Sequence, residues 1–382
     1  MTKKTALLAL TGGRCTPDIL ALQCIHPELV VILTSEEGYR DEATFVKFAN
    51  NLPQHKIQLP TVHVESYDLD KVKQACLDIC TQYPQTEWDW TFSISSCPKI
   101  LAFGAYEIAQ QLEIPCVYID SRHKKIISFI KGIGVSSESF FHMSVDDYME
   151  IFQRTRDKTN YDEKYRAYVQ AHSQIAKIMA CSADTPLFSK YMRDKKAKEK
   201  VEIPDLFPAT SPLLRELEHH GAIHTHVYTD GRIECQFTNA AMASFLGKGD
   251  WLEVYTWSEV EKAGFADDNQ WGYTLQSTAK NELDTVFTYD AQLIFTECKT
   301  DENPFKKKKA SYLDAMNSKA EMLGRTYTTK VFVTNASKTL DGYANFWEQA
   351  QLRQIVVVTA EDLPNIGEIL KKQAIDPDFP RK

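Results

Sequence analysis

The chain has 382 residues, 43% hydrophobic and 25% charged, with a formal net charge of −8 at pH 7. That length exceeds what one hydrophobic core supports, so two or three domains are expected, and the acidic balance excludes a protein that coats polyanions through bulk charge. Nine cysteines without paired spacing exclude a disulfide framework and point to the cytoplasm, and no apolar run is long enough for a signal peptide or a membrane span.

Apolar runs at Thr5–Leu10, Leu29–Leu33, Thr61–Val64, Trp90–Ile94 and Cys116–Ile119 alternate with helical patterns near 17–25, 41–50, 70–82 and 98–112. Runs apolar on both faces and separated by helices predict a parallel sheet covered on both sides, an α/β Rossmann-like domain over residues 1–145. The domain lacks Gly-x-Gly-x-x-Gly and the Walker lysine motif, which disfavours a dinucleotide or ATP as its ligand. Two loops at strand C-termini remain, where open α/β sheets bind ligands. One offers Thr11, Gly12, Gly13, Arg14 and Thr16; the other runs from Ser93 and offers Ser95, Ser96, Cys97 and Lys99. Small hydroxyl residues, a helix N-terminus and a cation suit phosphate or ribose groups.

Residues 146–245 change character. Tyr148–Ala180 is charged and helical, Lys190–Lys200 is basic, and Pro204, Pro208 and Pro212 break the chain. A helix is expected at Leu213–Glu218, then a hairpin of Ile223–Val227 and Ile233–Phe237 turned at Asp230-Gly231. Together they predict a helical connector with a winged-helix-like hairpin. His224 and His226 share a strand face there, but no Cys or carboxylate pair completes a metal site, so surface or core histidines are expected.

The remaining residues, 246–382, read as helix, hairpin, helix, strand, helix, strand, with late strands at Thr328–Thr334 and Ile355–Thr359. Their hairpin is the most informative stretch of the chain. With Asp290 and Ala291 as a two-residue loop, the register sets Asp284 opposite Glu297, and Glu282, Asp284, Glu297 and Lys299 share one face. Opposed carboxylates about 4.5–5.5 Å apart repel unless a cation lies between them. A hard divalent ion held by these carboxylates and the Cys298 carbonyl would activate water and stabilise charge developing on phosphorus. Lys299 would steady the attacking water or the phosphate. Glu253, near the start of a helix opened by Gly249-Asp250, could reach the metal; its competing role is the N3 position of a capping box with Asp250 as N-cap. The Lys306–Lys309 run beyond the hairpin is a solvated face or a grip on a substrate backbone.

Gly-x-Trp-Leu-Glu at 249–253, Asn-Glu-Leu-Asp at 281–284 and Glu-Cys-Lys-Thr at 297–300 together resemble the PD-(D/E)XK restriction-endonuclease-like module of CRISPR-associated ancillary nucleases. In that family the module follows a CRISPR-associated Rossmann fold (CARF) sensor, an architecture that matches essentially the whole chain. The resemblance implies a homodimeric nuclease of type III CRISPR antiviral defence, activated allosterically by a cyclic oligoadenylate, cyclic tetra-adenylate first. It implies cleavage of single-stranded DNA or RNA, or nicking of duplex DNA, with Mn2+ or Mg2+ as cofactor. Glu253, Asp284, Glu297 and Lys299 would then be catalytic, with Asp284, Glu297, Cys298, Glu253 and Glu282 around the metal. The Ser93–Lys99 loop is similar to the family's Asn-x-Thr-Gly-Gly-Thr-Lys: Ser95 matches the first Thr and Lys99 the Lys, while Ser93 replaces Asn and Ser96-Cys97 replace both glycines. Two rivals remain: a ligand-sensing winged-helix transcription regulator with a non-catalytic nuclease fold, and a housekeeping or repair nuclease with the Rossmann domain as scaffold.

Overall fold

Four of the first six strands are apolar and mostly buried, and a computed structural model places all six in one sheet. In chain order the elements are β1 (Lys4–Thr11), α1 (Thr16–Ile25), β2 (Leu29–Thr34), α2 (Tyr39–Asn51), β3 (Thr61–His63), α3 (Leu69–Gln82), β4 (Trp88–Ser96), α4 (Lys99–Gln111), β5 (Cys116–Asp120), β6 (Lys125–Phe129) and α5 (Val145–Ile151). The sheet order is β3-β2-β1-β4-β5-β6. Along β1, Ala6, Leu8 and Leu10 pack with Val72 and Cys76 of α3 and Leu101 and Ala105 of α4. The intervening Leu7 and Ala9 are equally buried, and α1 packs against β1, so both faces are covered. The sheet is not wholly parallel, because the unexpected β6 runs antiparallel to β5 at the edge. Chain order reverses between the neighbours β1 and β4, which is the position where such sheets bind ligands.

The structure describes the chain except residues 1–2, 13–14, 36–38, 52–58, 121–124, 133–141, 158–162, 205–210, 277–280, 307–310, 325–327 and 380–382. By its contacts the chain divides into two units, Met1–Arg154 and Thr155–Lys382. The second unit begins with α6 (Glu163–Ala171), α7 (Ser173–Cys181), α8 (Thr185–Met192), β7 (Val201–Ile203), α9 (Pro212–His219), β8 (Ile223–Val227), β9 (Ile233–Phe237) and α10 (Ala240–Gly247). The helical stretch expected from Tyr148 is thus divided among α5, α6 and α7. The hairpin pairs Ile223 with Phe237 through Val227 with Ile233, in the expected place, and β7 joins it in a β7-β9-β8 sheet. His224 and His226 on β8 are exposed.

Next come α11 (Asp250–Ala263), β10 (Asp268–Leu275), β11 (Asn281–Tyr289), β12 (Gln292–Lys299), α12 (Ser311–Met322), β13 (Thr328–Thr334), α13 (Tyr343–Leu352), β14 (Ile355–Val358) and α14 (Ile366–Ile375). Their five-stranded sheet runs β10-β11-β12-β13-β14, antiparallel through β12 and parallel beyond it. Strand β10 and helix α14 are additions to the expected order. One core joins this sheet to the preceding helices: Met179, Leu214, Phe237, Trp251, Tyr255 and Val331 belong to the same apolar cluster. Among the described residues no helix is long and apolar enough to cross a membrane.

Candidate active site

The β11–β12 hairpin turns where the sequence places it. Asp290 and Ala291 both adopt positive φ, 48° and 56°, as a two-residue primed turn requires. The ladder runs from Tyr289↔Gln292 to Thr285↔Thr296, the expected register, and ends there. Asp284, the next residue, turns its carboxylate to the opposite strand and accepts the Cys298 N–H at 2.6 Å. Lys299 Nζ lies 2.7 Å from Glu297 Oε1 and 3.7 Å from Asp284 Oδ2, and donates to the Cys298 carbonyl at 3.1 Å. Asp284, Glu297, Cys298 and Lys299 are therefore brought together. Glu282 joins them through its backbone: Lys319 Nζ of α12 donates to the Glu282 carbonyl and to Glu297 Oε2, both at 2.6 Å. Sequence reasoning missed Lys319. Its signal was a lysine inside the apolar stripe of α12, beside buried Met316 and Ala320.

Glu253 is held from the other side. The capping box weighed for it does not form, because the N-cap is Gly249 at φ 98° and Asp250 is the first helical residue. Asp250 instead accepts the Tyr165 hydroxyl. The Glu253 carboxylate accepts the Trp271 indole N–H at 3.0 Å, and its carbonyl accepts the Thr285 hydroxyl at 3.2 Å. Arg166 of α6 lies over the Trp271 ring, 4.5 Å from its centre, and donates to the Trp271 carbonyl. Helix α6 thus grips both Asp250 and the residue that aims Glu253.

Gly249 joins the two motifs physically. Its backbone is left-handed, and a Cβ there would overlap the Thr300 side chain just after Lys299. Gly249→Ala is therefore expected to cost about 2 kcal/mol, from backbone strain and the forced displacement together. A thermal melt should show a fall of about 4–8 °C on the scale usual for a unit of this size.

Among the described residues five carboxylates, of Asp250, Glu253, Glu282, Asp284 and Glu297, face the ammonium groups of Lys299 and Lys319, with Lys248 acting on Asp250. Burial, then the Glu297 charge, raises the Asp284 carboxyl to about 7 against the pull of Lys299 and the Cys298 N–H. Burial, then Asp284 and Asp250, raises Glu253 well above the usual carboxylate range. For Glu297 burial also opposes ionisation, but Lys299 and Lys319 prevail and hold its pKa below the usual value. Burial works against the Lys299 ammonium too, and Asp284 and Glu297 override it upward. An all-oxygen set short of positive charge suits a hard divalent cation, which would displace protons from Asp284 and Glu253. Among the described residues no three acidic, His or Cys side chains are already grouped to hold an ion, and both lysines sit on Glu297. The Cys298 thiol is buried beside Thr256 and Thr296, which leaves its carbonyl as the donor.

In the first unit the two expected loops meet at the β1–β4 junction. Thr11 pairs with Ser96 across an irregularity in the ladder, and a Cβ on Gly12 would lie 2.6 Å from Pro98 Cδ, so only glycine allows this approach. The hydroxyl oxygens of Thr11 and Thr16 are buried with no hydrogen-bond partner. Lys99, the first residue of α4, is exposed. The other loop residues are engaged inward: Ser95 Oγ accepts the Ile119 N–H at 2.9 Å, Ser96 donates to Asp18, and the Cys97 thiol reaches the Ile94 carbonyl at 3.7 Å. Asp18, fully buried in the first turn of α1, also accepts from Ser93 at 3.1 Å and was missed from sequence. Gly13, Arg14 and Lys307–Lys309 lie outside the described residues.

Residues 241–376 match the family model described as Card1-like, endonuclease domain. No curated protein matches the chain in sequence. Among solved structures, Can2 from Sulfobacillus thermosulfidooxidans in complex with cyclic tetra-adenylate aligns at TM-score 0.66 and 16% identity over 96% of each chain. Protein VC1899 from Vibrio cholerae aligns at TM-score 0.71 and 15% identity, covering 96% of this chain and 97% of that one. A type III CRISPR defence DNA nuclease activated by cyclic oligoadenylate aligns at TM-score 0.60 and 15% identity over this whole chain, which spans 53% of its length. At such identities the structural likeness is one of fold, and the domain match supplies the chemistry. Residues 241–376 thus match a Card1-like endonuclease domain, and the whole chain shares the fold of these structures, with a Rossmann-like first unit.

Proposed function

We propose that this protein is a metal-dependent nuclease of type III CRISPR defence, switched on by a cyclic oligoadenylate. The observation that carries the reading is the Asp284, Glu297 and Lys299 constellation, completed by Glu253 and Lys319, inside an endonuclease-type domain. Mn2+ or Mg2+ would be held by Asp284, Glu297 and the Cys298 carbonyl, with Glu253 and Glu282 close by. The bound ion supplies a Lewis acid and a water of lowered pKa. Lys299 then orients the attacking water or the phosphate, and Lys319 keeps Glu297 ionised. The substrate is single-stranded DNA or RNA, or duplex DNA that the protein nicks. An intact carboxylate and lysine set weighs against the transcription-regulator alternative, in which residues 146–245 would act as a winged helix rather than as the connector of three domains, 1–145, 146–245 and 246–382.

The sensor reading rests on the β1–β4 junction. Unpartnered hydroxyls of Thr11 and Thr16, the α4 N-terminus and Lys99 suit phosphate and ribose groups of cyclic tetra-adenylate, the ligand of the Can2 structure. A homodimer would give the ring two copies of this junction around one axis. Tyr118 and Ile127, paired across β5 and β6, are exposed with Phe129 and Phe103, an apolar surface in keeping with self-association in the cytoplasm. An effector shifts such an equilibrium only by its differential affinity for the active state. Lys99→Ala is therefore expected to raise the effector concentration for half-activation about tenfold, the size of one lost charge-assisted contact, with less effect on the saturated rate. Unchanged effector affinity by calorimetry would return the first unit to the role of scaffold.

A further inference from the structure

A cleft of about 630 Å³ opens beside the carboxylate cluster, within the second unit, and apart from Lys306 it is lined by residues that the nuclease reading leaves unassigned. It lies within the usual size of small-molecule sites, about 300–1,000 Å³. The strand register explains its place. Lys299 and Thr334 are the last pair of β12 and β13, and the residues that follow them, Thr300 and Asn335, both line the cleft. Its edge therefore starts one residue from Lys299, about 3.8 Å along the chain.

Apart from the exposed Lys306, the charges in the cleft are largely matched to each other. Arg193 is 3.3 Å from Asp301 and donates to the Thr300 carbonyl, Tyr312 donates to Asp301 at 2.5 Å, and Lys190 is 3.7 Å from Glu302. A phosphate would have to displace these partners, whereas a neutral ring would not. Leu187 and Leu340 offer apolar wall. Asn335 is 5% exposed, and its side-chain oxygen is buried with no hydrogen-bond partner, a state that buried amides rarely keep. An amide presents a donor and an acceptor side by side, and its two ends can exchange by rotation. This pair matches adenine N7 and N6.

We infer that the cleft is a nucleobase subsite, in which Asn335 reads an adenine of the substrate strand next to the bond that is cut. The inference rests on the nuclease reading and adds a specificity-determining residue to it. The full-length protein, with cyclic tetra-adenylate and Mn2+, is given a single-stranded DNA library of random sequence, and the cut ends are sequenced. Adenine is expected to be enriched severalfold at one fixed position within about two nucleotides of the cut, the reach of a site that begins beside Lys299. Asn335→Ala should flatten that preference and raise KM with kcat within about threefold, as loss of a ground-state contact does. Asn335→Asp should move the preference toward cytosine, whose amino group a carboxylate accepts. A wild type without preference, or an Asn335→Ala protein with the same preference, overturns the subsite. If the wild type cuts nothing, the nuclease reading fails first. The cleft is then tested by fluorescence anisotropy with an adenine-containing oligonucleotide, and equal affinities of wild type and Asn335→Ala overturn it as well.

Discussion

Asp284→Asn and Glu297→Gln should each reduce cleavage by at least about 10²–10³-fold, the scale for losing one group that stabilises transition-state charge. The fold should survive. Asp284 supports this with a second, thermodynamic signature. Its folded carboxyl is raised from the ordinary 3.8 to about 7, so the folded state holds a proton that the unfolded chain releases. Stability from this group is therefore present at low pH and is lost as pH rises between about 4 and 7. Without metal, the melting temperature of the wild type should fall across that window, and the slope should be shallower in Asp284→Asn. Because protons compete with the cation for the same oxygens, Mn2+ should raise the melting temperature more at pH 8 than at pH 6. Full cleavage by Asp284→Asn in EDTA would sink the metal mechanism.

Glu253→Gln separates two roles that the sequence left open. As a carboxylate of the metal site, Glu253 should be worth about 10–100-fold in metal affinity or rate, as supporting partners of metal sites commonly are. As a helix cap alone, its loss would cost about 1 kcal/mol of stability and leave activity intact. The left-handed Gly249 cap and the Trp271 N–H at 3.0 Å favour the first outcome. Removing a carboxylate whose ionisation is opposed by burial and by Asp284 should also leave the melting temperature unchanged or higher at neutral pH. A melting curve and a rate measured on the same variant decide between the roles. Trp271→Phe, which keeps the ring and removes the donor, should give a smaller loss in the same direction.

Where the alternation of side chains carried the signal, the sequence was readable. The primed turn at Asp290-Ala291 set the register that brings Asp284 to Glu297, and the mostly buried strands β1, β2, β4 and β5 stand out as apolar runs. What stayed hidden was tertiary. Lys319 enters the site from a helix with no local mark beyond its place in an apolar stripe, and Asp18 reaches Ser93 and Ser96 across more than seventy residues. The capping box was a sound local pattern that lost to the contact between Gly249 and Thr300. Strand β10 carries Trp271, Tyr273 and Leu275 in alternation, but Gly272 at φ 58° and the flanking amides mask it. β6 is a short edge strand with little burial to give it a pattern.

The most direct test is the rate at which the full-length protein cleaves labelled single-stranded DNA and RNA in Mn2+, with and without cyclic tetra-adenylate. Cleavage should rise at least about tenfold with the effector, on the order of typical allosteric coupling, and EDTA should abolish it. Equal rates with and without the effector, or cleavage that persists in EDTA, would contradict the proposed function.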